Sequence, residues 1–302
     1  MARAYNPQPV RAAALWRFLR PATLPAPLAG VLGGAVSASA GWPADGARLT
    51  AALLSALLLT GASNGINQIA DLETDRINRP DRPLPAGEIS TREAWAIFWV
   101  LSALAFALAA SVNRAYLACV AVTLPVTSAY SVMPFRTKRI PFLANATIAT
   151  PRGLLLVLAG WAVGGGAMRT EAWVLGTLMW IYIFGAATTK DFADTQGDEA
   201  TGCVTLPILW GPRAAARFVA PFLVLPFALY PLAAGFGLLP GGAARWGALG
   251  ALLSALGIAA GRHLIRDPQP PAGGSPHRAW GLMYLQLTLA HIGSAVVMAT
   301  LP

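Results

Sequence analysis

Nine times along this chain, apolar residues run on long enough to cross a lipid hydrocarbon layer as an α-helix, which takes about 20 residues. The runs cover 24–40, 49–70, 94–112, 115–133, 142–163, 172–189, 214–236, 246–263 and 280–301. None shows the alternation of a half-buried strand, and an unpaired backbone in lipid costs several kcal/mol per group, so helices are the only plausible spans. Charged residues make up only 12% of the 302, against 56% apolar, which is too little charge for a soluble domain of this size. The expected fold class is therefore all-α, a polytopic membrane protein with nine transmembrane helices. Pro125, Pro151, Pro221 and Pro226 fall inside the runs and predict kinks rather than breaks. Residues 1–23 form a cytoplasmic interfacial segment, with Trp16 and Phe18 dipping into the membrane, and 24–302 the membrane domain. The first 20 residues are basic, carry Trp16, and lack the short apolar core of a cleavable signal.

The basic residues orient the bundle. Arg17, Arg20, Arg76, Arg79, Arg82, Arg136, Lys138, Arg139, Lys190, Arg213, Arg262 and Arg266 share one side, whereas the opposite loops hold Arg48, Arg114, Arg169 and Arg245. The excess places the amino terminus in the cytoplasm and the carboxyl terminus on the opposite side. The net charge of +9 follows mostly from this topology, and no basic soluble module offers a surface to nucleic acid. Cys119 and Cys203 are isolated, and His263, His277 and His291 are scattered, so neither a disulfide framework nor a zinc site is expected.

Against this background, acids are conspicuous in two short stretches, 67–75 and 190–198, each at the cytoplasmic end of an apolar run. Carboxylates at such a depth are costly and point to function. Asn67, Asp71 and Asp75 are spaced by four, as are Asp194 and Asp198, so on a helix each set stacks on one face. Like charges stacked this way repel unless cations intervene. Hard oxygen ligands without His or Cys favour Mg²⁺, which commonly binds a few carboxylates together with substrate phosphates. A diphosphate fits best. Arg76, Arg79 and Arg82 follow the first stretch, and Arg136, Lys138 and Arg139 follow the fourth run. Their forks and point charges suit diphosphate oxygens. Arg20 and Arg152 are similar candidates, the latter within an otherwise apolar segment.

The pattern Asn67-x-x-x-Asp71-x-x-x-Asp75, continued by Arg76-Ile77-Asn78-Arg79-Pro80-Asp81-Arg82-Pro83-Leu84-Pro85, resembles the first signature of the UbiA superfamily of intramembrane prenyltransferases. Lys190-Asp191-x-x-Asp194-x-x-Gly197-Asp198 resembles the second. The resemblance implies nine helices around a central cavity, with catalytic Asp71, Asp75, Asp191, Asp194 and Asp198. It implies Mg²⁺, two ions bridging the diphosphate, held by Asn67, Asp71 and Asp75 on one wall and Asp194 and Asp198 on the other. Asp191, off that face, would position the acceptor or its departing proton. The candidate substrate-binding residues are Arg20, Asn64, Asn67, Arg76, Arg82, Tyr130, Arg136, Lys138, Asn145, Arg152 and Lys190.

The implied partners are membrane lipid, an isoprenyl diphosphate donor and a lipophilic acceptor. Gln68, Asn145 and the Arg152-Gly153 pair resemble the homogentisate-type branch, which favours an aromatic precursor of a quinone or tocopherol. A chlorophyllide-like macrocycle or a glycerol phosphate lipid stays open as acceptor. A membrane transporter is the non-enzyme alternative, although it would usually distribute its acids near the midplane.

Overall fold

The computed structural model describes residues 12–165, 168–269 and 277–300, and among these every regular element is helical. Residues 1–11 of the interfacial segment, Gly166 of the turn after the fifth run, and 270–276 of the loop before the last run lie outside the described residues.

The chain enters through α1 (Ala12–Leu19) and bends by 53° into α2 (Pro25–Ser39). Arg20 makes the bend at φ 56°, where Pro21 disfavours a right-handed residue before it. Trp16 is exposed, but Phe18 is fully buried, and its ring packs beside Gly65. Phe18 thus docks on the bundle instead of dipping into lipid, because the neighbouring carbonyls are claimed from within. Gln68 Nε2 donates to Phe18 O at 2.7 Å and Asn64 Nδ2 to Leu19 O at 2.9 Å.

Next come α3 (Gly46–Ala70), α4 (Leu72–Asn78), α5 (Thr91–Val112) and α6 (Arg114–Ser131). Side chains cap the three long helices: Asp45 on α3, a Ser90/Glu93 capping box on α5, and Asn113 on α6. The chain continues through α7 (Leu143–Ala149), a π turn (Thr150–Leu155) and α8 (Leu156–Val163). Then α9 (Thr170–Ala186) runs through a 3₁₀ turn into α10 (Asp191–Ala200), followed by α11 (Leu206–Trp210). Proline-interrupted α12 (Pro212–Phe222), α13 (Leu225–Ala228) and α14 (Tyr230–Gly235) lead to α15 (Ala243–Arg266) and α16 (Arg278–Ala299).

Among the described residues, seven stretches are long and apolar enough to cross a membrane, or eight if the bent α1/α2 pair is one span. The sequence expectation was nine. The difference lies at α6, where Thr123, Thr127, Tyr130 and Ser131 dilute the apolar run and line internal cavities instead.

Small residues set the central packing. A Cβ on Gly34 would lie 2.7 Å from Gly160 Cα, and one on Gly33 would lie 2.6 Å from His291 O. Helix α2 therefore touches α8 and α16 backbone to backbone. The Pro221/Pro226 segment keeps its path as one span, because its loosened carbonyls find other donors. Fully buried Gln286 donates through Nε2 to Leu223 O at 2.7 Å and to Leu253 O at 2.8 Å. We expect Gln286→Leu, which leaves both carbonyls without that donor, to cost about 1–3 kcal/mol. Thermal unfolding in detergent measures it, and an unchanged midpoint would contradict the assigned role.

Candidate active site

The two acidic stretches meet. Helix α3 passes into α4 without losing its hydrogen-bond register: Asp71 N donates to Asn67 O at 2.9 Å, Asp75 N to Asp71 O at 2.7 Å, and Arg79 N to Asp75 O at 2.8 Å. Asn67, Asp71, Asp75 and Arg79 accordingly share one face. Helix α10 lies against this face through Asn78, whose Nδ2 donates to Asp194 O at 2.9 Å and whose Oδ1 accepts from Gly197 N at 2.8 Å. A Cβ on Gly197 would come 2.5 Å from the Asn78 amide, so only glycine allows the approach. Thr74 and Thr201 hydroxyls add a 2.9 Å bond between the same helices.

Between the two walls lies a polar cavity. Asn67, Asp71 and Asp75 line it from one side and Asp191, Asp194 and Asp198 from the other, with Arg20, Arg79, Arg82, Tyr130, Lys138 and Lys190 between them. It shares Arg20, Asn67, Tyr130, Lys190 and Trp280 with a second cavity, and that one shares Arg152, Tyr284 and Leu287 with a third, mostly apolar one. The polar end of the site thus continues into an oily interior.

The expected repulsion within the acid stacks is relieved by bases. Asp71 pairs with Lys138, Asp75 with Arg82 at 2.6 Å and Asp194 with Arg79 at 2.9 Å. Burial pushes the Asp75 carboxyl above its ordinary range, and the Arg82 guanidinium draws it back down. Asp191 has Lys190 at 3.9 Å, and Lys190 donates to Tyr130 Oη at 2.8 Å. Asp198 forms no ion pair among the described residues.

Other candidates fall elsewhere. Arg76 points away and pairs with exposed Glu73 at 2.6 Å; Arg79 holds the inward position. Continuing the spacing of four past Asp75 leads directly to it. Asn145 is buried and donates to Phe184 O at 2.5 Å and Thr188 Oγ1 at 2.8 Å, joining α7 to α9. Gln68 is spent in the same way on α1. Arg136 adopts a left-handed backbone at φ 32°, with Nη2 3.8 Å from Asp71. Asn64 fastens Leu19 and Thr23 at the cavity rim. Trp280 lines both the polar cavity and the second one. Asn78 and Tyr284 carry no sequence signal of their partnerships, which exist only across helices.

Residues 28–285 match the UbiA prenyltransferase family. The chain belongs to this family. It is 34% identical over 222 residues to the digeranylgeranylglyceryl phosphate synthase of Thermococcus kodakarensis, covering 70% of this chain and 75% of that one. It is 31% identical over 205 residues to the bacteriochlorophyll synthase 34 kDa chain of Chloroflexus aurantiacus, covering 67% and 66%. With the digeranylgeranylglyceryl phosphate synthase of Methanobrevibacter smithii the identity is 30% over 184 residues, covering 60% and 65%. Against several of these curated relatives the chain spans just under two thirds of their length. The UbiA homologue of Archaeoglobus fulgidus solved with GPP and Mg²⁺ shares the fold, with a TM-score of 0.74 at 21% identity over 95% of this chain and 100% of that one. A digeranylgeranylglyceryl phosphate synthase structure has a TM-score of 0.69 at 23% identity, over 96% and 99%.

The acids of the two walls differ in whether a base pairs with them. Asp75→Leu removes the buried carboxylate that pairs with half-buried Arg82 and is expected to cost about 2–3 kcal/mol. Asp198→Asn breaks no ion pair and should stay within about 0.5 kcal/mol of wild type. Thermal unfolding of the two variants checks this, and equal losses would refute the distinction.

Proposed function

We propose that this chain is an Mg²⁺-dependent prenyltransferase that moves an isoprenyl group from an allylic diphosphate to a lipophilic acceptor within the membrane. The single observation that carries the reading is the cavity on which both acidic walls converge with Arg20, Arg79, Arg82, Lys138 and Lys190. Family membership and the Mg²⁺ and GPP held by the A. fulgidus homologue support it.

The donor set suits magnesium. Among the described residues no three acidic, His or Cys side chains converge as a ready cage. Mg²⁺ needs none, since it takes one or two carboxylates and fills its octahedron with substrate phosphate and water oxygens. Asn67, Asp71 and Asp75 would hold one ion, Asp194 and Asp198 a second. When bound, the metal neutralises the negative charge that grows on the diphosphate as it leaves.

The chain's own residues do the rest. Lys138, Arg82 and Arg79 are paired with carboxylates in this structure; they exchange these partners for diphosphate oxygens, and Arg20 adds a fourth cation. The allylic carbon–oxygen bond breaks with its electron pair going to the diphosphate. The apolar cavity beneath, lined by Leu59, Tyr116, Val120 and Leu156 among others, keeps water from the allylic cation. The acceptor oxygen, a hydroxyl or a carboxylate, then forms the new bond; Asp191 orients it and, where it is a hydroxyl, receives the proton it loses. The arginine asymmetry supports a cytoplasmic site and amino terminus, with the carboxyl terminus opposite.

For the acceptor, a glycerol phosphate lipid or a chlorophyllide-like macrocycle is favoured over an aromatic quinone precursor. Relatives named for the first two support this. Gln68 and Asn145, which favoured the aromatic reading, join helices here. The test offers labelled geranylgeranyl diphosphate with geranylgeranylglyceryl phosphate, bacteriochlorophyllide or homogentisate to purified protein, with Mg²⁺ or EDTA. Transfer should occur to one of the first two, vanish with EDTA, and fall at least about a hundredfold in Asp194→Asn. Metal-independent transfer, or none to any acceptor, would sink the proposal.

A further inference from the structure

Arg152 is a cation in the wrong place for the diphosphate. It lies midway along the apolar stretch Leu143–Val163 and lines the second and third cavities, but not the one between the acidic walls. Among the described residues it joins no ion pair. Its one hydrogen bond is from Nη1 to Tyr284 Oη, at 2.7 Å. Its side chain is exposed where it lines these cavities, within reach of a ligand and with only a neutral partner.

Its position is nonetheless built. Arg152 sits in the π turn, a local widening of the helix that is frequently tied to function. That turn is clamped from α9: Trp180 Nε1 donates to Thr150 Oγ1 at 3.2 Å, and a Cβ on Gly153 would lie 2.7 Å from Met179 O. The guanidinium is therefore held at the junction of the oily cavity and the polar one.

Its charge also restricts what it can serve. An allylic cation would be repelled by it, a hydrocarbon tail is indifferent to it, and the donor's diphosphate belongs among the other bases. The remaining component is the acceptor. Resting on the prenyltransferase reading above, we infer that Arg152, oriented by Tyr284, binds an anionic oxygen group of the acceptor, a phosphate or a carboxylate. The fork then makes the charge-assisted pair that such a group offers. Tyr284 is a positioning residue that keeps the fork turned into the cavity.

The test uses full-length protein in phosphatidylcholine vesicles and reads equilibrium binding, not turnover. Two probe pairs are compared: geranylgeranylglyceryl phosphate with its uncharged glycerol ether, and chlorophyllide with its methyl ester. Magnesium-dependent binding of geranylgeranyl diphosphate is the control for folding and for the underlying function. Wild type should prefer the anionic member of one pair by about ten- to a hundredfold. Preference in the phosphate pair identifies a glycerol lipid, and preference in the carboxylate pair a tetrapyrrole. Arg152→Gln should abolish the preference, Arg152→Lys should restore part of it, and Tyr284→Phe should reduce it a few-fold, all with diphosphate binding kept. The inference is overturned if wild type binds donor but favours neither anion, if Arg152→Gln keeps the preference, or if it weakens donor and acceptor alike. Loss of donor binding by wild type itself would instead refute the prenyltransferase reading.

Discussion

The seam between α4 and α10 is the contact on which the site depends. Two short helices continue α3 and α9 beyond their apolar lengths, and each carries carboxylates that lipid would not tolerate. Asn78 ties them by donating to Asp194 O and accepting from Gly197 N. Thr74 and Thr201 add a second bond, and the missing side chain of Gly197 lets the backbones approach. Without the seam, the two acidic faces would be separate helix ends. With it, they become opposite walls of one cavity.

Holding five acids around one space requires compensation, and the structure supplies it from several segments. Arg79 and Arg82 come from the same stretch as the first acids, Lys138 from the turn after α6, and Lys190 from the 3₁₀ turn after α9. In the absence of diphosphate these bases satisfy the carboxylates. Under the proposed function, the same charges would suit a polyanion with metal. Such exchangeable pairs fit a site that must fill and empty.

The surrounding bundle keeps the cavity open without leaving backbone groups stranded. Glycines at 33, 34 and 160 allow α2, α8 and α16 to pack backbone against backbone, which closes one part of the bundle tightly. Proline interrupts the α12–α14 span, and Gln286 from α16 donates to its buried Leu223 carbonyl. The polar residues that reduce the hydropathy of α6 line the interior. Departures from an ideal apolar helix here mark either a cavity wall or a repair.

Much was legible in the residues because lipid is a demanding solvent. Apolar length specified helices, and acids spaced by four specified stacked faces. What could not be read were choices that depend on another helix. Arg76 and Arg79 are both arginines beside the same motif, yet only the one on the shared face turns inward. Gln68 and Asn145 look like site residues in a linear motif, but each finds a buried carbonyl on a neighbouring segment. Phe18 is an interfacial aromatic by composition and a core residue by contact. The sequence by itself determined helices, sidedness bias and oxygen-rich chemistry, since these follow from each residue's own solvation and periodicity. Tertiary structure alone decided which acids face one another, which base neutralises which acid, and where Arg152 stands, because hydrogen bonds and ion pairs are settled within a few ångströms between segments far apart in the chain.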